Sequence, residues 1–390
     1  MSSGILIFIV GILVVVMIHE SGHFLMAKLF DLKATKFFLG FGPTLWSTQR
    51  GETEYGVKAL PLGGFVKIVG MNPYEEVAPE DESRSYPNKP KWQRALVLVA
   101  GSATHWVVAF VILFIMFAFI GEPSGPPTTE IATVSADSPA ASAGFEPEDR
   151  IVGVAGADAD TWNEISEFIK AHPGDEVTFV VERDGDTVEV DATIGRAIFD
   201  EDGNVNAYSV DGDELRDARA GETEQGFLGI APQRQVNRQG VVEALGSAGA
   251  ATWQGTVGSV RGIGEVFSQI APGGKLWDAL GGQGEREITE GPLGIVGAGR
   301  LAGESAQRGM YFELLGLIVG FTIFVGIMNL LPLPPLDGGH LAVLAWEAIT
   351  GKQVDVRKLI PVAAAVISFF VVLFLAVLYL DLARPIKVPL

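Results

Sequence analysis

The sequence predicts a polytopic α-helical membrane protein of four transmembrane helices, with a cytoplasmic-side membrane-associated β-meander and an extracytoplasmic β-rich domain. Three observations carry that prediction. Of the 390 residues 48% are hydrophobic, yet the formal net charge is −19, which fits membrane spans joined to an acidic soluble part better than one uniform globule. Runs near residues 4–27, 95–120 and 361–380 are long enough, at about 1.5 Å per residue, to cross roughly 30 Å of hydrocarbon, and a fourth near 314–333 is interrupted by Thr322 and Asn329. The charges, finally, are segregated: ten Lys or Arg lie between Lys28 and Arg94, whereas Gly121 to Glu313 holds 13 basic and 34 acidic residues.

Each element follows in order. The first span (1–30) is uncharged from Gly4 to Met17 and ends in Ile18-His19-Glu20-Ser21-Gly22-His23-Phe24. No basic stretch precedes it and no small-x-small cleavage motif follows, so it is expected to be retained. The basic loop 31–94 belongs in the cytoplasm by the positive-inside rule, leaving both termini outside. Its Gly-punctuated apolar runs, 37–43 and 54–68, predict the β-meander, and the Pro- and acid-rich residues 72–91 predict a mobile loop. The second span (95–120) carries His105, and 121–127 reads as a Gly/Pro linker. Across 128–232, short strands, a helix near 162–171 and a hairpin turning at Asp184-Gly185 predict the β-rich domain, with a flexible acidic insertion near 197–226. Residues 241–290 predict amphipathic juxtamembrane helices and a Gly-rich loop, lying on the outer membrane surface or clamping the soluble domain. The third span (314–340) runs inward to Asn329-Leu330-Leu331-Pro332-Leu333-Pro334-Pro335-Leu336-Asp337-Gly338-Gly339-His340, and the fourth (361–382) runs outward. The acidic outer domain argues against nucleic acid as a partner. The absence of cysteine excludes disulfides, thiolate ligands and a cysteine nucleophile.

His19-Glu20-x-x-His23 places two imidazoles on one helical face, one turn apart, with a carboxylate beside them. His19 lies 15 residues beyond Gly4, about 22 Å into the membrane. Ionisable groups at that depth are functional by default. The first and third spans both run inward, so Asp337 arrives at the same depth, and two histidines with one carboxylate are a common catalytic zinc set. The assignment is therefore His19, His23 and Asp337 as metal ligands and Glu20 as general base. Plainer readings stay open: Asp337 as a turn residue before two glycines, His340 as third ligand, Asn329 bonding a carbonyl freed by the prolines. His172, before Pro173-Gly174, reads as a surface turn residue.

The His19–His23 motif, Leu60-Pro61-Leu62-Gly63-Gly64-Phe65-Val66-Lys67 and the Asn329–Gly339 run together resemble the site-2 protease family of intramembrane zinc metalloproteases, specifically its bacterial four-span group with one PDZ domain. The resemblance implies Zn2+ held by His19, His23 and Asp337, with Glu20 catalytic. It implies substrate contacts at Asn329 and at the β-module near Gly63 and Gly64. The soluble domain is similar to a PDZ domain at Ser138-Pro139-Ala140 to Gly144 and Asp149-Arg150-Ile151. Implied partners are single-pass transmembrane substrates such as anti-sigma factors, an upstream site-1 protease that trims them, and the bilayer of the cytoplasmic membrane. In many relatives the second span opens Gly-Pro-x-x-Asn, whereas here it reads Gly101-Ser102-Ala103-Thr104-His105. His105 is therefore expected at the substrate or a bound water, or as a modulator of metal affinity. The rival classes are a membrane PDZ scaffold with a vestigial metal site and a metal transporter.

Overall fold

Uninterrupted apolar sequence sets the helices. The computed structural model describes all residues except 1, 73–74, 136–137, 200–204, 210–222, 272, 282–292, 308–309, 353 and 385–390. Among the described residues, four helices are long and apolar enough to cross a membrane. They are α1 (Ser2–Leu29), α2 (Lys91–Ile115, continued by a π-helical turn to Ile120), α8 (Tyr311–Asn329) and α10 (Ile360–Ala383). The chain forms two compact units, one of residues 1–119, 239–306 and 313–387, the other made chiefly of 120–238.

In the first unit, α1 and α2 approach closely because Gly22 has no side chain: a Cβ there would lie 2.4 Å from the Ala100 carbonyl oxygen. Small residues at such crossings are what lets helices pack without a hydrophobic drive in lipid. Thr322, the polar interruption of α8, donates its hydroxyl to Ile318 O at 2.7 Å and so sits inside the span already satisfied. The expected juxtamembrane helices include one continuous helix, α5 (Val241–Ile270). It packs on the second span rather than only on a membrane surface, for the Trp106 indole donates to Thr256 Oγ1 at 2.9 Å. Short α6 (Lys275–Gly281) follows it. Two helices were not foreseen: α7 (Ile295–Gln307), whose Gly297 N–H donates to the buried Asp381 at 2.8 Å, and α9 (Asp337–Thr350).

The module expected on the cytoplasmic side is a pair of long bent strands, β1 (Ala34–Arg50) and β2 (Thr53–Ile68). Residues 36–39 pair on one side with 64–67 and on the other with 54–57, which in turn pairs with 46–49. The four segments therefore do not follow the sequential order of a meander. Gly40 and Gly42 (φ 88° and 84°) supply the bend, a backbone region closed to most side chains. Exposed Leu45, Trp46 and Leu60 give the module the apolar outer surface expected of membrane contact. The described residues of 72–91 hold more regular structure than their composition predicts. Two 3-10 turns (Pro79–Arg84 and Tyr86–Asn88) bury Tyr86 and aim Arg84 at the strand turn. Arg84 donates to both Glu52 oxygens (2.7 and 2.9 Å) and to Asp31 (2.8 Å), and Lys28 at the end of α1 also pairs with Glu52. This clamp fastens the β1–β2 turn to α1.

The second unit has a six-stranded antiparallel sheet ordered β11-β3-β4-β6-β7, with β5 paired to β4. The strands are β3 (Glu122–Val134), β4 (Arg150–Val154), β5 (Ala157–Asp158), β6 (Glu176–Arg183), β7 (Asp186–Thr193) and β11 (Ile230–Asn237). Helices α3 (Pro139–Ala143) and α4 (Trp162–Ala171) belong to this unit, and α4 opens with a Thr161/Glu164 capping box. Ile131, Ile151, Ile165, Phe179, Val181 and Ile194 form the core. Residues 122–127 of the expected linker are instead the start of β3, pairing with β11 through shifted registers at Pro127 and Pro123. Proline lacks an N–H, so such pairing suits only an edge or a bulge. The described parts of the 197–226 insertion are strands rather than loop. β8 (Gly195–Phe199), β9 (Val205–Ser209) and β10 (Thr223–Phe227) make a separate sheet ordered β10-β8-β9.

Arg84 and then Lys28 hold the Glu52 carboxyl down at about 2. A depressed carboxylate stabilises fully above its unfolded value, near 4.3, and is lost only as pH falls through the folded value. Hairpin amides corrected for intrinsic exchange should therefore keep their protection from pH 7 to about 4, whereas Glu52→Gln or Arg84→Ala should lose protection at the 51–57 turn already at pH 7.

Candidate metal centre

The centre is assembled on α1, where His19 and His23 lie one turn apart and are 8% and 5% exposed. Each ring is fixed from α2. His23 Nδ1 lies 2.8 Å from Val97 O, and a carbonyl only accepts, so Nδ1 carries the proton and Nε2 of the neutral ring presents a lone pair. His19 Nδ1 lies 3.1 Å from His105 Nε2. Gly101 makes the room: a Cβ at that position would stand 2.2 Å from His23 Nε2.

The third donor comes from beyond α8. After Asn329 the three prolines end the helix, and a tight turn leads into α9 with Asp337 as its first residue. Gly338 and Gly339 allow that turn to close, because Cβ atoms there would lie 2.2 Å from Leu330 O and 2.6 Å from the Leu333 carbonyl carbon. Asp337 Oδ2 reaches 3.3 Å from His19 Nε2 and 3.2 Å from His23 Nε2, and the two Nε2 atoms are 3.1 Å apart.

These distances test the fit of a metal. Tetrahedral zinc with bonds of about 2.0–2.1 Å separates its ligands by roughly 3.3 Å, which matches all three edges. Asp337 Oδ2 is buried and accepts no hydrogen bond of proper geometry. Converging lone pairs in a buried site repel, and a cation among them removes both the repulsion and the missing bond. Among the described residues, His19, His23 and Asp337 form the one such cluster, and three protein donors are the number a catalytic zinc site uses. His340 follows Asp337 along α9 but is not part of the cluster. His172 bonds its own Phe168 carbonyl at 2.8 Å and stacks on that ring, as a local turn residue does.

Glu20 is held from the other side. Its Oε2 accepts the Val66 N–H of β2 at 3.0 Å. Gly64 lets β2 lie against α1 there, since a Cβ would meet Met17 Sδ at 2.8 Å and Glu20 Cγ at 3.3 Å. Gly63, with φ 149°, stands beside Phe41. Asn329 is the last residue of α8 and half-buried. His105, expected at the substrate or a bound water or as a modulator of metal affinity, is 1% exposed and turned to His19. The supports that sequence reasoning missed are Gly101 and the backbone groups of Val97 and Val66. Gly101 was visible as the first residue of the departing second-span motif, but no sequence pattern marks a carbonyl or an N–H.

A buried two-histidine, one-carboxylate cluster beside a glutamate, within a four-helix apolar fold, has the composition of a membrane metallopeptidase. The family model described as Peptidase family M50, the site-2 proteases, matches residues 7–376, so the chain belongs to that family. It is a polytopic membrane zinc metalloprotease with Zn2+ as cofactor. It is similar to the zinc metalloprotease Rip1 of Mycobacterium tuberculosis, 32% identical over 99% of this chain and 98% of that one. The Rip1 of Mycolicibacterium smegmatis is also 32% identical, over the same shares. A putative zinc metalloprotease of Brucella suis is 33% identical over 89% of this chain and 86% of its own.

Gly101→Ala should push the His23 ring out of line and lower the zinc content of the purified protein by on the order of tenfold or more. Ser102→Ala, one residue on, should leave the zinc content unchanged.

Proposed function

We propose that this chain hydrolyses peptide bonds within transmembrane segments of single-pass membrane proteins. The observation that carries the reading is the near-equal 3.1–3.3 Å spacing of the His19, His23 and Asp337 donor atoms inside an apolar helical unit. These three would hold the zinc. When bound, zinc lowers the pKa of a coordinated water towards about 7 and polarises a carbonyl. Glu20 serves as general base and then acid, taking a proton from the attacking water and returning it to the leaving amine. Oε2 accepts the Val66 N–H, which fixes the carboxylate, and Oε1 is assigned to exchange the proton.

A helical substrate hides its carbonyls in i→i−4 bonds and must unwind to be cut. Among the described residues, the outer segment of β2, residues 64–68, pairs with only one neighbouring segment, and it passes Glu20. An unwound substrate added there as a further strand would be held extended. Gly63, Gly64 and Asn329 line this route in the proposal. The β-rich unit is assigned as an extracytoplasmic PDZ-like domain, and its bulk would admit only substrates already trimmed, such as anti-sigma factors cut by a site-1 protease. The excess of Lys and Arg in residues 28–94 supports a centre towards the cytoplasmic face of the cell membrane, with both termini outside.

Glu20→Gln should retain zinc yet cut a single-pass substrate in membranes at least about 100-fold more slowly; undiminished cleavage would overturn the assignment. Asp337→Ala should lose zinc on gel filtration while His340→Ala keeps it, and the opposite pattern would move the third ligand to His340.

A further inference from the structure

His105 is a histidine in an unusual bonding state. It lies in the middle of α2, 1% exposed, with Nε2 3.1 Å from His19 Nδ1 and Nδ1 buried without any hydrogen-bond partner. A histidine kept only to fill space in a helical core tends to satisfy both ring nitrogens, because a buried polar group without a partner is costly. The ordinary way for Nδ1 to do so is the carbonyl one turn back, as His172 does with Phe168 O. For His105 that carbonyl is Gly101 O, which the Thr104 hydroxyl takes at 2.6 Å. The ring is instead turned towards His19, and α8 accommodates it through Gly326, where a Cβ would stand 2.8 Å from His105 Cβ. One nitrogen is left unpaired so that the other can meet His19.

We infer that His105 is a positioning residue for the metal centre, fixing His19 as the tautomer that offers Nε2 to zinc. This rests on the reading of His19 as a ligand. An imidazole that ligates through Nε2 carries its proton on Nδ1, and that proton needs an acceptor. The acceptor on this side is the His105 Nε2 lone pair, which puts the His105 proton on Nδ1. Val97 O does the same for His23 through a backbone carbonyl. The two ligands are thus oriented by different means, one by main chain and one by a replaceable side chain. Outer partners of this kind fix the ring and raise its basicity as a ligand.

The test is the zinc dissociation constant of the full-length protein in detergent, measured by chelator competition, with the unfolding midpoint of the zinc-free protein as a control for folding. His105→Leu removes the acceptor and should weaken zinc about 10- to 100-fold with the zinc-free midpoint unchanged. His105→Gln, whose amide oxygen reaches about as far as Nε2, should recover most of the affinity, a rescue that a space-filling role does not predict. Should the leucine variant fail to fold, His105→Asn serves in its place, polar but too short to reach His19. Zinc bound as tightly by His105→Leu as by the native protein, or as weakly by His105→Gln as by His105→Leu, overturns the inference. His19→Ala separates the two levels: if it retains zinc, the ligand reading itself fails, whereas loss in His19→Ala without loss in His105→Leu sinks only the role of His105.

Discussion

Three lone pairs aimed at one point inside an apolar helical unit are a demanding arrangement. Neutral imidazole nitrogens and a carboxylate oxygen repel one another when no cation stands between them, and little water is at hand to screen them. His19 and His23 cannot turn away, because Val97 O and His105 hold their far nitrogens. Asp337 cannot withdraw, because the turn from Asn329 into α9 is closed by glycines packed on carbonyls. The protein therefore keeps an electrostatically strained cluster whose relief is a bound cation, and much of the first unit can be understood as the frame that maintains it.

That frame depends on missing side chains. Gly22 lets α2 close on α1, Gly101 clears the His23 ring, Gly326 clears His105, and Gly64 brings β2 onto the face of α1 that carries Glu20. At each of these points the first Cβ atom would meet a neighbouring atom well inside van der Waals distance. In lipid, where burying apolar surface does not by itself drive helices together, such close approaches provide the packing that holds the spans in register.

The strand module adds a second source of order. Its turn is bolted to the end of α1 by Arg84, Glu52, Asp31 and Lys28, and its far segment delivers the Val66 N–H to Glu20. One end of α1 is thereby braced through charge and the face one turn before His23 through a backbone donor. The carboxylate proposed to move protons is held by the same element that is proposed to pair with an extended peptide. In the proposed mechanism, holding the base and presenting such an edge fall to the same strand.

The sequence by itself determined the four apolar spans and pointed to His19, His23 and Asp337, whose donor atoms the structure brings together. Apolar run length, the i, i+4 spacing and the alternation of span direction are one-dimensional properties, so they can be read without coordinates. It under-read the regular structure at 122–127, in the described parts of 197–226, and in α7 and α9, because proline, glycine and acidic residues look like loop until pairing or packing partners are known. Tertiary structure alone decided that His105 faces His19 rather than an open site. It alone decided that Asp337 starts a helix, and that His23 and Glu20 are fixed by Val97 O and Val66 N–H. Backbone groups leave no mark in a residue string, and the aim of a ring nitrogen depends on how closely two helices approach, which the absent Cβ of Gly22, Gly101 and Gly326 sets.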